Sequence, residues 1–117
     1  MRARLIEFGV VEIDGRRYDR DVVIVDGRVD RRHKKASRHL RDRYGHTPLS
    51  LAEPIPWHGQ RLIVGTGVDG ALPIDDEVLA EAARRGIELV AVTTDEACRL
   101  VSDADEREVS AILHVTC

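Results

Sequence analysis

Aromatic residues are scarce: Phe8, Trp57, Tyr18 and Tyr44 are the only ones in 117 residues. A core must therefore be built from Val, Leu, Ile and Ala. The rows of rings on which single-stranded nucleic acids stack are missing. Cysteine is equally sparse. Cys98 and Cys117 cannot form a disulfide framework, and they fit a reducing compartment. No apolar run approaches the roughly 20 residues of a helical membrane span. The opening stretch "MRARLIEFG" has no separate apolar segment followed by a cleavage site, so no secretion signal is expected and the cytoplasm is the expected location. Metal-ligand spacings are absent too. His33, His39, His46, His58, His114 and the two cysteines make no H-x₃-H or C-x₂-C pair, so no metal or other cofactor is expected. No nucleophile–base or paired-carboxylate pattern stands out along the chain.

What is present is enough to build one soluble domain over residues 1–117, with 43% hydrophobic and 33% charged residues. The charge is unevenly spread. Residues 28–43, "RVDRRHKKASRHLRDR", hold eight Arg/Lys against Asp30 and Asp42, whereas residues 69–117 hold four Arg against twelve Asp/Glu. The basic stretch from Arg28 to Arg43 can meet an acidic partner, or the acidic half can face it within the fold. Only Tyr44 adjoins it, so nucleic acid is not the expected partner.

Two Asp-Gly pairs, Asp14-Gly15 and Asp26-Gly27, separate runs rich in β formers, which is the signature of hairpins with type I′ turns. "RLIEFGVVEI" and "RRYDRDVVIV" are predicted as strands of an antiparallel meander, with Arg28 to Arg31 starting another. Within "HTPLSLAEPIPWHGQ", Thr47 is expected to cap one short helix at Pro48 to Leu51. Further on, "RLIV" reads as a buried strand. A helix follows, capped by Asp75, closed by Gly86, with Val78, Leu79, Ala82 and Ala83 as its apolar stripe. "IELVAV" is the next strand, which makes a βαβ unit with parallel strands. "TTDEACRLVS" reads as a helix with a Thr93-x-x-Glu96 capping box. "REVSAILHVTC" alternates as a strand with Val109, Ala111, Leu113, Val115 and Cys117 on one side.

The stretch "RLIVGTGVDGALP", residues 61–73, spells G-x-G-x-x-G at Gly65, Gly67 and Gly70 after a strand. A dinucleotide loop needs its helix to begin inside the motif, so that backbone N–H groups point at the pyrophosphate. Here Pro73 delays the helix, and Asp75, Asp76 and Glu77 fill its first turn, where they would repel phosphate. The glycines are thus read as a tight turn at the carboxyl end of a parallel strand, the edge at which open α/β sheets place ligands. Gly65, Thr66, Gly67, Thr94 and Cys98 are expected to line one crevice there, with the loop carrying His46 folding over it. Cys98 sits near a helix start, which favours a thiolate, but Asp95 and Glu96 oppose it, and a buried small side chain is the expected state.

Taken in order, "FGVVEIDGRRYDRDVVI", "GHTPLS", "LIVGTG", "LPIDDEVLAEAARRGIEL", "TTDEACR" and "AILHVTC" resemble one family of small proteins. It is the family of an assembly factor for mitochondrial respiratory complex I and of an adipogenesis-associated vertebrate protein, and it has many archaeal and bacterial members of unknown function. The resemblance covers nearly the whole chain. It implies a mixed sheet flanked by helices, with a β-layer from the N-terminal strands, and it brings no established activity. The chain departs from the family at Val101-Ser102, where Tyr-Asn is usual, and at Glu106, where Gly is usual. A partner that reads that aromatic and amide is not expected to be shared. The fold expected is therefore α/β of the mixed kind: a meander, a βαβ unit, helices on the sheet and a C-terminal strand. The function expected is that of a non-enzymatic binding or assembly module for a protein partner. The alternative is a small-ligand or nucleotide-binding protein, or an enzyme, using the crevice at Gly65–Gly67.

Overall fold

The computed structural model describes all residues from 1 to 117. Strands β1 (Ala3–Glu7), β2 (Val10–Ile13) and β3 (Arg16–Tyr18) form a three-stranded sheet. Strands β4 (Val22–Val25), β5 (Arg28–Arg31), β6 (Arg61–Gly65), β7 (Glu88–Val92) and β8 (Val109–Leu113) form a five-stranded sheet in the order β5-β4-β8-β6-β7. A 3₁₀ helix (Lys34–Leu40) runs into the one-turn helix α1 (Arg41–Tyr44), and the longer helices are α2 (Asp76–Arg85) and α3 (Thr94–Asp103).

Both Asp-Gly pairs form the expected turns. Asp14 and Gly15 lie at φ 50 and 84, Asp26 and Gly27 at φ 49 and 74, and this positive pair is what a two-residue hairpin needs. The βαβ unit is also as expected, with β6 and β7 parallel. Strand β8 inserts between β4, to which it is antiparallel, and β6, to which it is parallel. It can do so because both of its faces are apolar. Ala111, Leu113 and Val115 join one core with Val11, Ile13, Ile63 and the α3 residues Ala97, Cys98 and Val101. Ile112 joins the other with Leu49, Leu62, Val64, Leu72 and Val78 of α2. Leu62, Ile63, Val64, Ile112 and Leu113 are all at 0% exposure, each contributing on the order of 1.5–3 kcal/mol by burial.

The structure corrects several sequence expectations. Neither early run is one strand: "RLIEFGVVEI" turns at Phe8-Gly9 into the antiparallel pair β1 and β2, and "RRYDRDVVIV" breaks after Tyr18, so that β3 stays in the small sheet and β4 passes to the large one. The break falls at Asp21, a buried carboxylate that a continuous strand would leave without its partners. No helix forms at Thr47–Leu51. Leu49 instead bridges Ile74, its N–H donating to Pro73 O and its carbonyl accepting from Asp75 N. The stripe of α2 is narrower than predicted, since Val78 and Ala82 are buried but Leu79 is 46% exposed and Ala83 is exposed. Thr93 does occupy the N-cap of α3, yet its side chain makes no capping bond, and Glu96 pairs with Arg99. Cys117 lies past the end of β8 and is exposed.

Candidate functional site: a basic cleft beside the glycine loop

The loop after β6 is closed upon itself. Gly65, Thr66, Gly67 and Thr94 do meet, but they spend their polar groups on one another. Gly67 N donates to Thr94 Oγ1 at 2.9 Å, Thr94 N donates to Gly67 O at 3.0 Å, and both N and Oγ1 of Thr66 donate to Val92 O at 2.8 Å. The last residues of the chain cover the loop: His114 N donates to Gly65 O at 2.9 Å, Val68 N to Thr116 O at 2.7 Å and Ala71 N to Cys117 O at 2.9 Å. The amides that would cradle a pyrophosphate are thus committed, and α2 starts only at Asp76. Cys98 lies in the core beneath α3, at 1% exposure. Burial first, and the nearby Asp95 charge second, push its thiol up to about 12, so it carries no thiolate at neutral pH.

The open space lies on the other side of the C-terminal residues, in a cleft of about 180 Å³. His46 and Thr47 line it, together with Leu72, His114, Thr116 and Cys117, the last two hydrogen-bonded to the glycine loop through Val68 N and Ala71 N. Lys34, Lys35 and Arg38 of the 3₁₀ helix, and Arg32 just before it, complete the lining. Of the expected crevice residues, the structure brings only His46 to this cleft. The others sit behind it, as buried scaffold.

Arg32 is the centre of a buried ionic cluster that the sequence does not announce. Its side chain is 1% exposed, as is that of Glu53, and that of Asp21 is 3% exposed. Nε donates to Glu53 Oε1 at 2.7 Å, Nη1 to Asp21 Oδ2 at 2.9 Å, and Nη2 both to Glu53 Oε2 at 3.1 Å and to Pro48 O at 3.2 Å. Ser37 Oγ donates to Glu53 Oε2 at 2.5 Å and meets Ser50 Oγ at 2.6 Å. The cluster thereby ties β5, the 3₁₀ helix and residues 48–53 into one body, and it fixes the wall that carries Lys34, Lys35 and Arg38. On the far side, His114 Nδ1 lies 2.8 Å from Asp21 Oδ2, and His114 Nε2 lies 3.2 Å from Thr116 Oγ1. With Asp21 ionised, His114 Nδ1 carries a proton and donates to it. Asp21, His114 and Thr116 thus form one hydrogen-bonded row that the sequence does not announce.

Burial by itself would raise the Asp21 pKa. The hydrogen bond and charge of His114, the Val115 N–H and Arg32 outweigh it and hold the carboxyl down at about 2. A depressed folded-state value stabilises the fold above the unfolded value of 3.8, and that stability disappears as pH falls towards 2. The wild-type chain is expected to lose about 2 kcal/mol between pH 5 and pH 2 that Asp21→Asn does not lose. Parallel acid titrations of urea midpoints measure it, and identical acid limbs for the two proteins would refute it.

No three His, Cys, Asp or Glu side chains converge as metal ligands, and no helix is long and apolar enough to cross a membrane. No curated protein matches the chain. Solved structures do. A conserved hypothetical protein from Pyrococcus horikoshii OT3 is 31% identical over 100% of both chains, with a TM-score of 0.83. A protein called MT938 is 27% identical over 99% of this chain and 98% of its own, with a TM-score of 0.63. A Mth938-like domain from Bordetella pertussis, at 18% identity and covering 97% and 85%, shares the fold with a TM-score of 0.58. The match to a family extends from residue 4 to residue 114, from β1 through the glycine loop to the His114 that closes the cleft, and the chain belongs to that family, described as "Protein of unknown function (DUF498/DUF598)".

Proposed function

We propose that this chain is a non-enzymatic binding module, acting as one domain in the cytoplasm, that recognises an acidic surface on a protein partner through the basic cleft and the 3₁₀ helix beside it. The observation that carries this reading is the state of three cations. Lys34, Lys35 and Arg38 are exposed and form no ion pair, while the local carboxylates Asp21 and Glu53 are taken by Arg32. A fixed wall of unpaired cations steers an acidic surface towards it and sets the register of docking. The likeness of the sequence to the family of a respiratory complex I assembly factor supports a partner-binding role. The two free cysteines support a reducing compartment.

The test is titration with a poly-glutamate peptide. Saturable binding is expected at low ionic strength, weakening steeply as salt rises. The Lys34→Glu, Lys35→Glu, Arg38→Glu triple variant is expected to weaken it by about tenfold or more. A single-stranded oligonucleotide serves as the competing polyanion. Binding of the oligonucleotide but not of the peptide would overturn the protein-partner reading.

A further inference from the structure

We infer that the cleft is a receptor for one compact tetrahedral oxyanion of the phosphate class, which serves as the anchor of the ligand. The inference deepens the reading above and rests on the same basic wall.

Size comes first. Pockets for cofactors and drug-sized ligands usually enclose roughly 300–1,000 Å³, whereas this cleft encloses about 180 Å³. It has room for a single small group and some water, with the rest of any larger ligand outside. The donor inventory comes second. Arg32 has five N–H donors. Four of its hydrogen bonds are made to Glu53, Asp21 and Pro48, which leaves one N–H on Nη1 uncommitted. That group is almost fully desolvated, since the side chain is 1% exposed, yet Arg32 lines the cleft. Every buried side-chain nitrogen and oxygen of the fold has a partner, so this N–H is spare donor capacity at the wall of the cleft.

Charge decides the class. Arg32 is paired with Asp21 and Glu53, so it adds donor capacity rather than net attraction. Attraction comes from Lys34, Lys35 and Arg38 among the lining residues, three exposed cations that form no ion pair. His46 and Thr47 add polar groups to the lining. A carboxylate offers two coplanar oxygens and one charge. A phosphomonoester offers three oxygens spread in space and a charge of about −1.5 to −2 at neutral pH, and it can meet several of the cationic and polar lining groups at once.

The experiment is an NMR titration of the isotopically labelled chain with inorganic phosphate, with acetate at matched ionic strength as the control. The expected result is saturable phosphate-dependent shifts confined to amides of residues 32–38, 46–47, 71–72 and 114–117, with little response to acetate. Lys35→Ala and Arg38→Ala, at exposed positions that leave the fold intact, are each expected to raise the Kd about fivefold. Non-saturating shifts, or equal shifts with acetate, would overturn the inference. If the poly-glutamate peptide still binds in that event, the acidic-partner reading survives alone. A phosphoserine peptide separates the sources of the group. Binding at least tenfold tighter than inorganic phosphate assigns it to a protein partner. Equal affinities, together with no binding of poly-glutamate, keep the phosphate site but assign it to a free small molecule and refute the protein-partner reading.

Discussion

Arg32→Ala is expected to cost about 3–5 kcal/mol of folding stability, the most of any single change in the cluster. The loss does not measure the worth of the ion pairs when whole. Removing the guanidinium leaves Asp21 and Glu53 charged, buried and facing one another, and it strips Pro48 O of its donor. A chain of this size has roughly 5–15 kcal/mol in total, so the variant is expected to melt about 15–25 °C lower. Arg38→Ala, at an exposed position in the same basic run, is expected to change stability by less than about 0.5 kcal/mol. Arg32→Lys keeps the charge but not the fork, and a point-like ammonium cannot serve three separated acceptors. It is expected to recover less than half of the loss. The deficit of Arg32→Ala is also expected to shrink towards pH 4, because the orphaned carboxylates then take up protons. Urea midpoints of the three variants at pH 7 and pH 4 provide the comparison. Equal stabilities for Arg32→Ala and Arg38→Ala would show that water reaches the cluster and that the wall beside the cleft is not rigidly held.

The residues of that cluster show which parts of the fold are legible in a sequence. The hairpins at Asp14-Gly15 and Asp26-Gly27, the βαβ unit and the existence of β8 were legible because each rests on a local signal, a turn dipeptide or a hydrophobic period, whereas the burial of β8 on both faces, with Ile112 in the second core, was not. The division into two sheets was not. It depends on Asp21, whose neighbours Arg20 and Asp19 look as polar as it does, and whose partners lie 11, 93 and 94 residues away. Charged residues are rarely buried, so Arg32 is indistinguishable by type from Arg31 and Lys34 in the same basic run. Only its place at the end of β5 turns it inward. Leu49 illustrates the same limit, since proline-rich sequence says where a helix stops but not that Leu49 will pair with Ile74. The basic face was visible as charge and the glycine turn as a turn. That the C-terminal residues would seat on that turn, and leave the open space to His46 and the 3₁₀ helix, is a matter of long-range packing that no local pattern encodes.

Gly67→Ala tests that packing directly, and it is expected to cost about 3 kcal/mol or more. Two effects add. Gly67 has φ +110, a region in which a side chain costs on the order of 1–3 kcal/mol. A Cβ there would also stand 2.2 Å from Cys117 C, 2.4 Å from Cys117 O and 2.8 Å from Thr116 O. All three are backbone atoms, so no rotamer change relieves the clash and the terminal residues must lift. Lifting them breaks the bonds from Val68 N and Ala71 N, and it moves Thr116 away from His114. Gly86→Ala is the control, because Gly86 also has positive φ, +68, but nothing lies within 4 Å of its Cβ position. It is expected to cost only the conformational part, about 1 kcal/mol. The difference between the two variants in denaturant midpoint isolates the packing of the C-terminal residues against the glycine turn. In the Gly67→Ala protein, the ring signals of His114 are expected to shift, while those of His58 at the far edge keep their wild-type positions. Equal costs for the two glycines, with His114 unmoved, would mean that the last residues yield without loss and that the turn does not shape the cleft.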